Sequence, residues 1–193
     1  VGERAFRDIL RLAAASGRDV RVTFDDGNRS DLEIGVPAVL EAGLGASVFA
    51  LARRLGQPGS LSAADLGRLA AMGAVIGTHG HDHLDWRGLD ARGRLREFET
   101  ARRRLSDASG HPVTEAAIPF GAYDRAVLAA MRAAGYARVY SSDGGPAVTD
   151  WPVPRTTIRA DTDPRAVAAL LEGREPLRSR LRRRAAMAWK RRR

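Results

Sequence analysis

The chain has 193 residues, of which 44% are hydrophobic and 28% are charged, and this composition is typical of one globular domain with its own core. It contains no apolar run of about 18 residues, which argues against a membrane-spanning helix, and no cysteine, which excludes disulfides and thiolate metal ligands. Residues 176–193 carry nine basic residues and no acid, so they account for the whole net charge of +9 and residues 1–175 are neutral. We therefore expect no basic groove for nucleic acid across the domain.

Hydrophobic periodicity and turn residues predict alternating helices and strands along the chain. In chain order we predict a helix at 4–15, a strand at 20–24, a helix ending at Gly43, a strand at 46–51, a helix after Ser62, a strand at 75–77, a helix at 91–108, a strand at 116–118, a helix after Asp124, strands at 137–140 and 153–158, a helix after Asp163, and a last helix through 177–189. This alternation predicts an α/β fold with a parallel sheet or barrel. We assign residues 1–175 to a catalytic domain and 176–193 to a basic amphipathic tail.

The polar residues with chemical potential follow the predicted strands. Asp25 and Asp26 end the first strand, a histidine cluster follows the third, and residues 119–121 follow the fourth. Active sites of α/β barrels are built at the carboxyl ends of their strands. The sequence therefore predicts one site at that rim.

Three of the four histidines lie within five residues, at His79, His81 and His83. His79 and His83 are four residues apart, so both rings can point the same way, and Asp26 would supply a third ligand. Two imidazoles and a carboxylate suit a divalent metal, and we expect zinc, with cobalt, nickel or iron as alternatives. The alternative is a polar surface loop that binds nothing. His81 alternates away from its neighbours and is either solvated, supporting or catalytic.

Asp25 and Asp26 are adjacent, so in an extended segment their side chains point to opposite sides. If Asp26 binds the metal, Asp25 can act as the base that takes a proton from the attacking water. The alternative is a simple turn, because residues 25–28 are all of turn-forming types.

Three motifs resemble those of the polysaccharide deacetylase family, the NodB-homology carbohydrate esterases. They are TFDDG at 23–27, GTHGHDH at 77–83 and PFGAYD at 119–124, and the similarity covers roughly residues 20–160. The resemblance implies a distorted (β/α) barrel and metal-dependent removal of an acetyl group, usually the N-acetyl of a hexosamine in a glycan. It also implies a metal held by Asp26, His79 and His83, with Asp25 as the base.

The same resemblance assigns the third motif to the substrate. The N–H of Phe120, after Pro119, would help to hold the oxyanion, and Tyr123 would lie close by. Two features of the family are missing. Ala116 occupies the position of an arginine that orients the catalytic aspartate, and no histidine follows His111, so the late Leu-x-His that protonates the leaving amine is absent.

We hypothesise substitutes for both missing groups. Arg155, at the start of a late strand, would orient Asp25, although a surface arginine is an equally simple interpretation. His81 or Asp143 would act as the acid, because both lie beside strand ends. Residues 141–145 and Trp151 would line the substrate rim, where Trp151 either stacks on a sugar or only packs beside Pro152.

The tail alternates apolar residues with arginine clusters. Such a helix can lie on an anionic membrane surface or bind an acidic polymer, or it can cover the barrel with its arginines solvated. Residues 1–8 do not resemble a signal peptide. We expect a cytoplasmic or inner-membrane location if the chain is complete, and export if a leader was removed.

Two rival functions follow from the same residues. The missing acid and Ala116 favour a weak or inactive family member that binds sugar or metal, whereas the intact Asp25, Asp26, His79 and His83 oppose it. A third possibility is an ester or cyclic-amide hydrolase that uses the same site. The oligomeric state is not indicated by the sequence.

Overall fold

The structure is a computed structural model that describes residues 2–146, 151–174 and 176–193. Six strands form one sheet in the order β1-β2-β3-β4-β5-β6, and every neighbouring pair is parallel. The strands are β1 Arg21–Asp26, β2 Gly45–Ala50, β3 Val75–Thr78, β4 Glu115–Ala117, β5 Arg138–Ser141 and β6 Val153–Pro154. The predicted α/β fold is confirmed.

Helices connect the strands. They are α1 Glu3–Ala15, α2 Val36–Glu41, α3 Ala63–Ala71, α4 Ala91–Arg94, α5 Ala101–Ser109, α6 Arg125–Ala133, α7 Pro164–Leu171 and α8 Leu177–Arg192. Two π-helical segments, Asp31–Gly35 before α2 and Leu95–Thr100 between α4 and α5, widen the helices that they join. No helix within the described residues is long and apolar enough to cross a bilayer.

Side-chain caps start four of these helices where the sequence predicts them. Ser62 forms a capping box with Asp65, and the carboxylates of Asp90, Asp124 and Asp163 accept backbone N–H groups of α4, α6 and α7. A polar cap satisfies donors that a helix leaves unpaired in its first turn. The caps therefore fix the residue at which each of these loops ends and its helix begins.

Two strands differ from their predicted bounds by two or more residues at their carboxyl ends, and the other four by one residue at one or both ends. β1 extends through Asp25 and Asp26, which pair with Phe49 and Ala50 on β2, so the two carboxylates belong to the strand and not to a following turn. The strand predicted at 153–158 contains only Val153–Pro154. Beyond it, Arg155 N–H still donates to Ser141 O at 2.9 Å, while its carbonyl accepts from Gly144 N–H at 2.9 Å.

The sheet is curled into a half-barrel. Arg155, directly after β6, donates hydrogen bonds to Thr23 and Asp25 on β1. The first and last strands therefore face each other, although within the described residues they are not paired. The inside of the curl holds a small cluster of Phe49, Ala117 and Tyr140. Larger clusters on the outside pack the sheet against the helices. This is the distorted barrel in one domain that the sequence predicts.

Candidate metal centre and active site

Three residues at or after the ends of strands β1, β3 and β4 have left-handed backbone conformations. Among the described residues, these three have positive φ without being glycine: Asp26 at 76°, His83 at 59° and Phe120 at 58°. Such conformations cost about 1–3 kcal/mol each and persist where surrounding contacts hold them. One lies in each of the three motifs, so the strain is concentrated where the sequence places the chemistry.

Asp26, His79 and His83 form a group whose ligand atoms all lie within 4.8 Å of one another. The Nε2 atoms of both histidines are 3.8 Å from Asp26 Oδ1. Ligands about 2.0–2.1 Å from a tetrahedral zinc ion would be about 3.4 Å apart. The group therefore fits a divalent metal after a shift of a few tenths of an ångström.

His79 is held in the form that binds metals. Its Nδ1 lies 2.8 Å from Ala117 O, and because a carbonyl only accepts, Nδ1 carries the proton and Nε2 keeps its lone pair. Burial lowers the pKa of His79, although the charge of Asp25 opposes this. The ring is therefore neutral and directs its free nitrogen towards Asp26.

Arg54 orients the second oxygen of Asp26. Its Nη1 is 3.6 Å from Asp26 Oδ2, while its Nη2 donates to Asn28 and its Nε donates to Ser60. Because Oδ2 faces this guanidinium, Oδ1 is the oxygen that faces the two histidines. No local pattern indicates this role, since Arg54 lies in a short 3₁₀ turn after β2.

Asp25 is paired with Arg155. Arg155 Nη1 and Nη2 donate to Asp25 Oδ1 and Oδ2 at 2.8 and 2.9 Å, and Nη1 also donates to Thr23 at 2.9 Å. The guanidinium lies 5.4 and 5.9 Å from the ring centroids of Phe49 and Tyr140. A bidentate pair fixes both distance and orientation, so the contact hypothesised for Arg155 is present.

This pairing decides the charge of the carboxylate. Burial raises the pKa of Asp25, but the hydrogen bonds and positive charge of Arg155 outweigh it and hold the pKa below its ordinary value. Asp25 Oδ2 is also 3.9 Å from His79 Nε2. An ionised carboxylate thus lies beside the three candidate metal ligands.

Glu97 lies beneath the loop of residues 79–83 and supports it. This residue was not identified from the sequence. Its fully buried carboxyl group accepts N–H groups of His81 and Asp82 at 2.9 and 3.0 Å, and Trp86 Nε1–H at 3.3 Å. A Cβ added to Gly80 would lie 2.3 Å from Glu97 Oε2. The loop between the two candidate ligands is therefore wrapped around this carboxyl group.

His81 lies in a different group of side chains. Its Nδ1 is 3.0 Å from Asp82 Oδ1 and 3.4 Å from Arg96 Nε. His81, Asp82 and Glu97 form a second cluster of possible ligands, but Glu97 is already occupied by N–H donors. These contacts favour a supporting role for His81 over the proposed acid role.

The third motif places one exposed aromatic ring at the mouth of the site. Phe120 is 66% exposed, and its ring centroid is 4.5 Å from that of His83. It occupies the turn Pro119–Gly121, and Pro119 itself is buried. Phe120, more than Trp151, is positioned to contact a substrate.

Trp151 and Tyr123 are less available than the sequence suggested. Trp151 packs against a core cluster, with the Arg132 guanidinium 5.1 Å from its ring centroid. Tyr123 is 2% exposed, and its hydroxyl donates to Asp143 at 2.8 Å. Burial raises the pKa of Tyr123, and the bond to Asp143 adds to this effect. Both side chains are held by protein contacts.

Asp143 accepts three donors. Oδ2 receives Tyr123 OH at 2.8 Å and Ser141 OH at 2.6 Å, and Oδ1 receives Lys190 Nζ at 2.6 Å. A carboxylate surrounded in this way acts as an acceptor, so the contacts do not favour Asp143 as the acid. Lys190, in the basic tail, was not singled out by the sequence.

The fold and these side chains together have the characteristics of a polysaccharide deacetylase. The sequence model of the family "Polysaccharide deacetylase" matches residues 13–139. The chain belongs to this family.

Similar proteins agree with this assignment. The chain is 25% identical over 135 residues to YxkH of Bacillus subtilis (strain 168), whose name places it among the polysaccharide deacetylases. The match covers 70% of this chain and 48% of YxkH, so the chain spans about half of that relative.

Solved structures share the fold at low identity. The Streptococcus pyogenes deacetylase PplD, solved in complex with acetate, matches with a TM-score of 0.80 and 15% identity over 91% of this chain and 88% of that chain. IcaB from Ammonifex degensii matches with a TM-score of 0.75 and 21% identity over 89% and 90%.

We predict that Glu97→Gln weakens metal binding about 10- to 100-fold, as is usual when a group that supports metal ligands is changed. The amide nitrogen would replace one acceptor by a donor that faces a backbone N–H. Competition with a chromophoric chelator measures the affinity. Glu99→Gln, an exposed change in the same π-helical segment, is the control, and equal affinities of the two variants would show that Glu97 does not support the site.

Proposed function

We propose that this chain is a metal-dependent hydrolase that removes acetyl groups from a glycan, with the N-acetyl group of a hexosamine as the preferred substrate. The supporting observation is the cluster of Asp26, His79 and His83 beside an Asp25 that is held by Arg155. We propose zinc as the metal, because two neutral imidazoles and one carboxylate form a common set of zinc ligands. When bound, the metal would polarise the acetyl carbonyl and make a water molecule more acidic.

The protein groups have separate roles in this proposal. Asp25 takes a proton from the water that attacks the acetyl carbonyl, and Arg155 keeps the carboxylate ionised and aimed. The N–H of Phe120 donates to the oxyanion that forms, an interaction that can contribute about 3–4 kcal/mol when it is preorganised. The C–N bond then breaks, and the leaving nitrogen requires a proton.

We propose that Asp25 returns the proton that it has accepted to the leaving nitrogen. His81 lies beside Asp82 and Arg96, and Asp143 accepts three donors, so neither is placed as well as Asp25. One carboxylate can serve first as base and then as acid, because the proton count balances over the cycle. The products are acetate and the free amine.

Metal content and acetate release test the proposed function together. We expect near-stoichiometric metal by mass spectrometry in the wild type and loss of metal in Asp26→Ala and His79→Ala. We also expect metal-dependent acetate release from a panel of N-acetylated hexosamine oligomers. His111→Ala, which removes a histidine outside the cluster, is the control and should retain both properties.

Other outcomes distinguish the rival functions. If the protein binds metal and hydrolyses acetyl esters or cyclic amides but releases no acetate from N-acetyl substrates, the site hydrolyses a different bond from the one proposed. Metal binding with no hydrolysis would indicate an inactive binding module. Absence of metal after reconstitution would refute the proposed site.

Arg155→Ala should lower kcat by about 100-fold or more while metal content stays near the wild-type value. The reason is that Asp25 would lose its orienting partner, whereas Asp26, His79 and His83 would keep theirs. Arg155→Lys should recover only part of the activity, because lysine cannot form the bidentate pair. Arg159→Ala, an exposed arginine nearby, is the control. Equal losses of metal and turnover in Arg155→Ala would contradict the assigned role.

We also propose that α8 contacts an anionic membrane surface. Leu177, Leu181 and Trp189 are 63%, 56% and 59% exposed on a helix that is rich in arginine, and basic residues next to exposed apolar ones favour such contacts. Full-length protein should pellet with anionic vesicles, and Leu177→Ser/Leu181→Ser/Trp189→Ser should pellet less. Pelleting that is equal for both proteins, or equal with neutral vesicles, would refute this proposal.

A further inference from the structure

Lys190 joins the C-terminal helix to the turn of the third motif. Its Nζ donates to Gly121 O at 3.0 Å and to Asp143 Oδ1 at 2.6 Å, and lies 4.9 Å from the ring centroid of Tyr123. The side chain is 29% exposed. The ammonium group is therefore held by a carbonyl, a carboxylate and an aromatic face at once.

The partner carboxylate is itself fixed. The side chain of Asp143 is only 6% exposed, and its other oxygen accepts the hydroxyl groups of Tyr123 and Ser141. A buried carboxylate needs a compensating positive charge, and Lys190 provides it. The position of the ammonium group is thus set by a rigid neighbour, which lets it act as a fixed donor towards Gly121.

Gly121 follows the residue that we propose to hold the oxyanion. Phe120 has φ of 58°, which is an unfavourable conformation for a side chain of its size. A Cβ added to Gly121 would lie 2.1 Å from Ser142 Oγ and 3.1 Å from Ser142 N. The turn is therefore pressed against the segment that carries Asp143, and its carbonyl is fastened by Lys190.

Lys190 lies near the end of α8, in the part of the helix that contacts the domain. Met187 is its buried residue, whereas the first part of the helix is exposed. The contact between Lys190 and Gly121 spans 69 residues of sequence, and a single lysine among arginines forms no motif. The arrangement is visible only once the chain is folded.

We infer that Lys190 is a positioning residue for the proposed reaction: from the C-terminal helix it fixes the turn Pro119–Gly121 and so aims the N–H of Phe120 at the oxyanion. This inference rests on the proposed deacetylase function. It assigns to the basic tail a part in the site that the three family motifs do not contain. The lysine acts through Gly121 and Asp143 and does not itself need to touch the substrate.

The experiment compares full-length variants that differ in this one contact. Lys190→Met keeps the length of the side chain but removes the donor, Lys190→Arg keeps a positive donor, and Arg192→Met is a matched loss of charge at an exposed position of the same helix. We expect Lys190→Met to lower kcat on the order of 10- to 100-fold, with KM and metal content near the wild-type values. Lys190→Arg should recover part of kcat, and Arg192→Met should behave as the wild type.

A second variant distinguishes the effect of losing the contact with the turn from the effect of leaving the buried carboxylate of Asp143 unpaired. Lys190→Met/Asp143→Asn removes both charges and avoids an unpaired carboxylate, yet it still leaves Gly121 O without its donor. We expect kcat to remain low in this double variant. Recovery of kcat to the wild-type value would overturn the inference.

An NMR measurement gives a result that does not depend on activity. The amide ¹⁵N of Ala122 belongs to the same peptide group as Gly121 O, so its signal should shift in Lys190→Met and remain in place in Arg192→Met. If the wild type releases no acetate from any substrate, the proposed function fails while this measurement still decides whether Lys190 holds the turn. An unchanged Ala122 signal together with a wild-type kcat in Lys190→Met would refute the inference.

Discussion

The ion pair between Arg155 and Asp25 is the contact on which the arrangement of the site depends. It joins the residue after β6 to the penultimate residue of β1. The contact crosses the open side of the sheet, of which β1 and β6 are the two edge strands. The guanidinium lies 5.4 and 5.9 Å from the ring centroids of Phe49 and Tyr140, and the Arg155 side chain is only 14% exposed. A partly buried pair of this geometry is costly to break, because either partner alone would be an uncompensated charge. The pair thus holds the curl of the sheet and the direction of the carboxylate together.

The strained residues are held by the same kind of contact. Asp26, His83 and Phe120 occupy conformations that a side chain normally avoids, and each lies next to a group that is anchored elsewhere in the chain. Arg54 faces Asp26 and Lys190 holds the turn of Phe120, while Glu97 holds the loop before His83. These polar contacts, of which that of Glu97 is fully buried, offset the cost of the strained backbone and hold the side chains in place.

The parts of the fold that follow from local sequence were predictable. The strands, the helix caps and the three motifs are encoded within short stretches, and the parallel arrangement then brings the ends of β1, β3 and β4 to one rim. The predicted bounds were wrong where pairing with a neighbour decides them, as at Asp25 and Asp26, which are part of β1. The last strand is shorter than predicted: after Pro154, Arg155 pairs with Ser141 at the end of β5 and with Gly144 in the loop that follows.

The supporting residues could not be found from local pattern, because their partners are distant in sequence. The contacts of Glu97 with His81, Lys190 with Gly121 and Arg155 with Asp25 span 16, 69 and 130 residues. Arg155 was proposed because the resemblance left a role unfilled and because the residue lies at the start of a predicted late strand. Trp151 and Tyr123 show the converse. Both were assigned to substrate binding because they are aromatic residues near a motif, but burial and the contacts with Arg132 and Asp143 hold both rings within the protein.

The position of Arg155 also explains how the chain can lack the family arginine at Ala116. Orienting a carboxylate requires only a cation at the right distance, and any strand whose end faces Asp25 can deliver one. Ala116 lies on β4 in the cluster that packs the sheet against the helices, so a side chain at that position points away from the inside of the curl, where Asp25 lies. Arg155 reaches it from the opposite edge, because the curl brings the end of β6 to β1. The contact between Arg155 and Asp25 therefore depends on the curvature of the sheet.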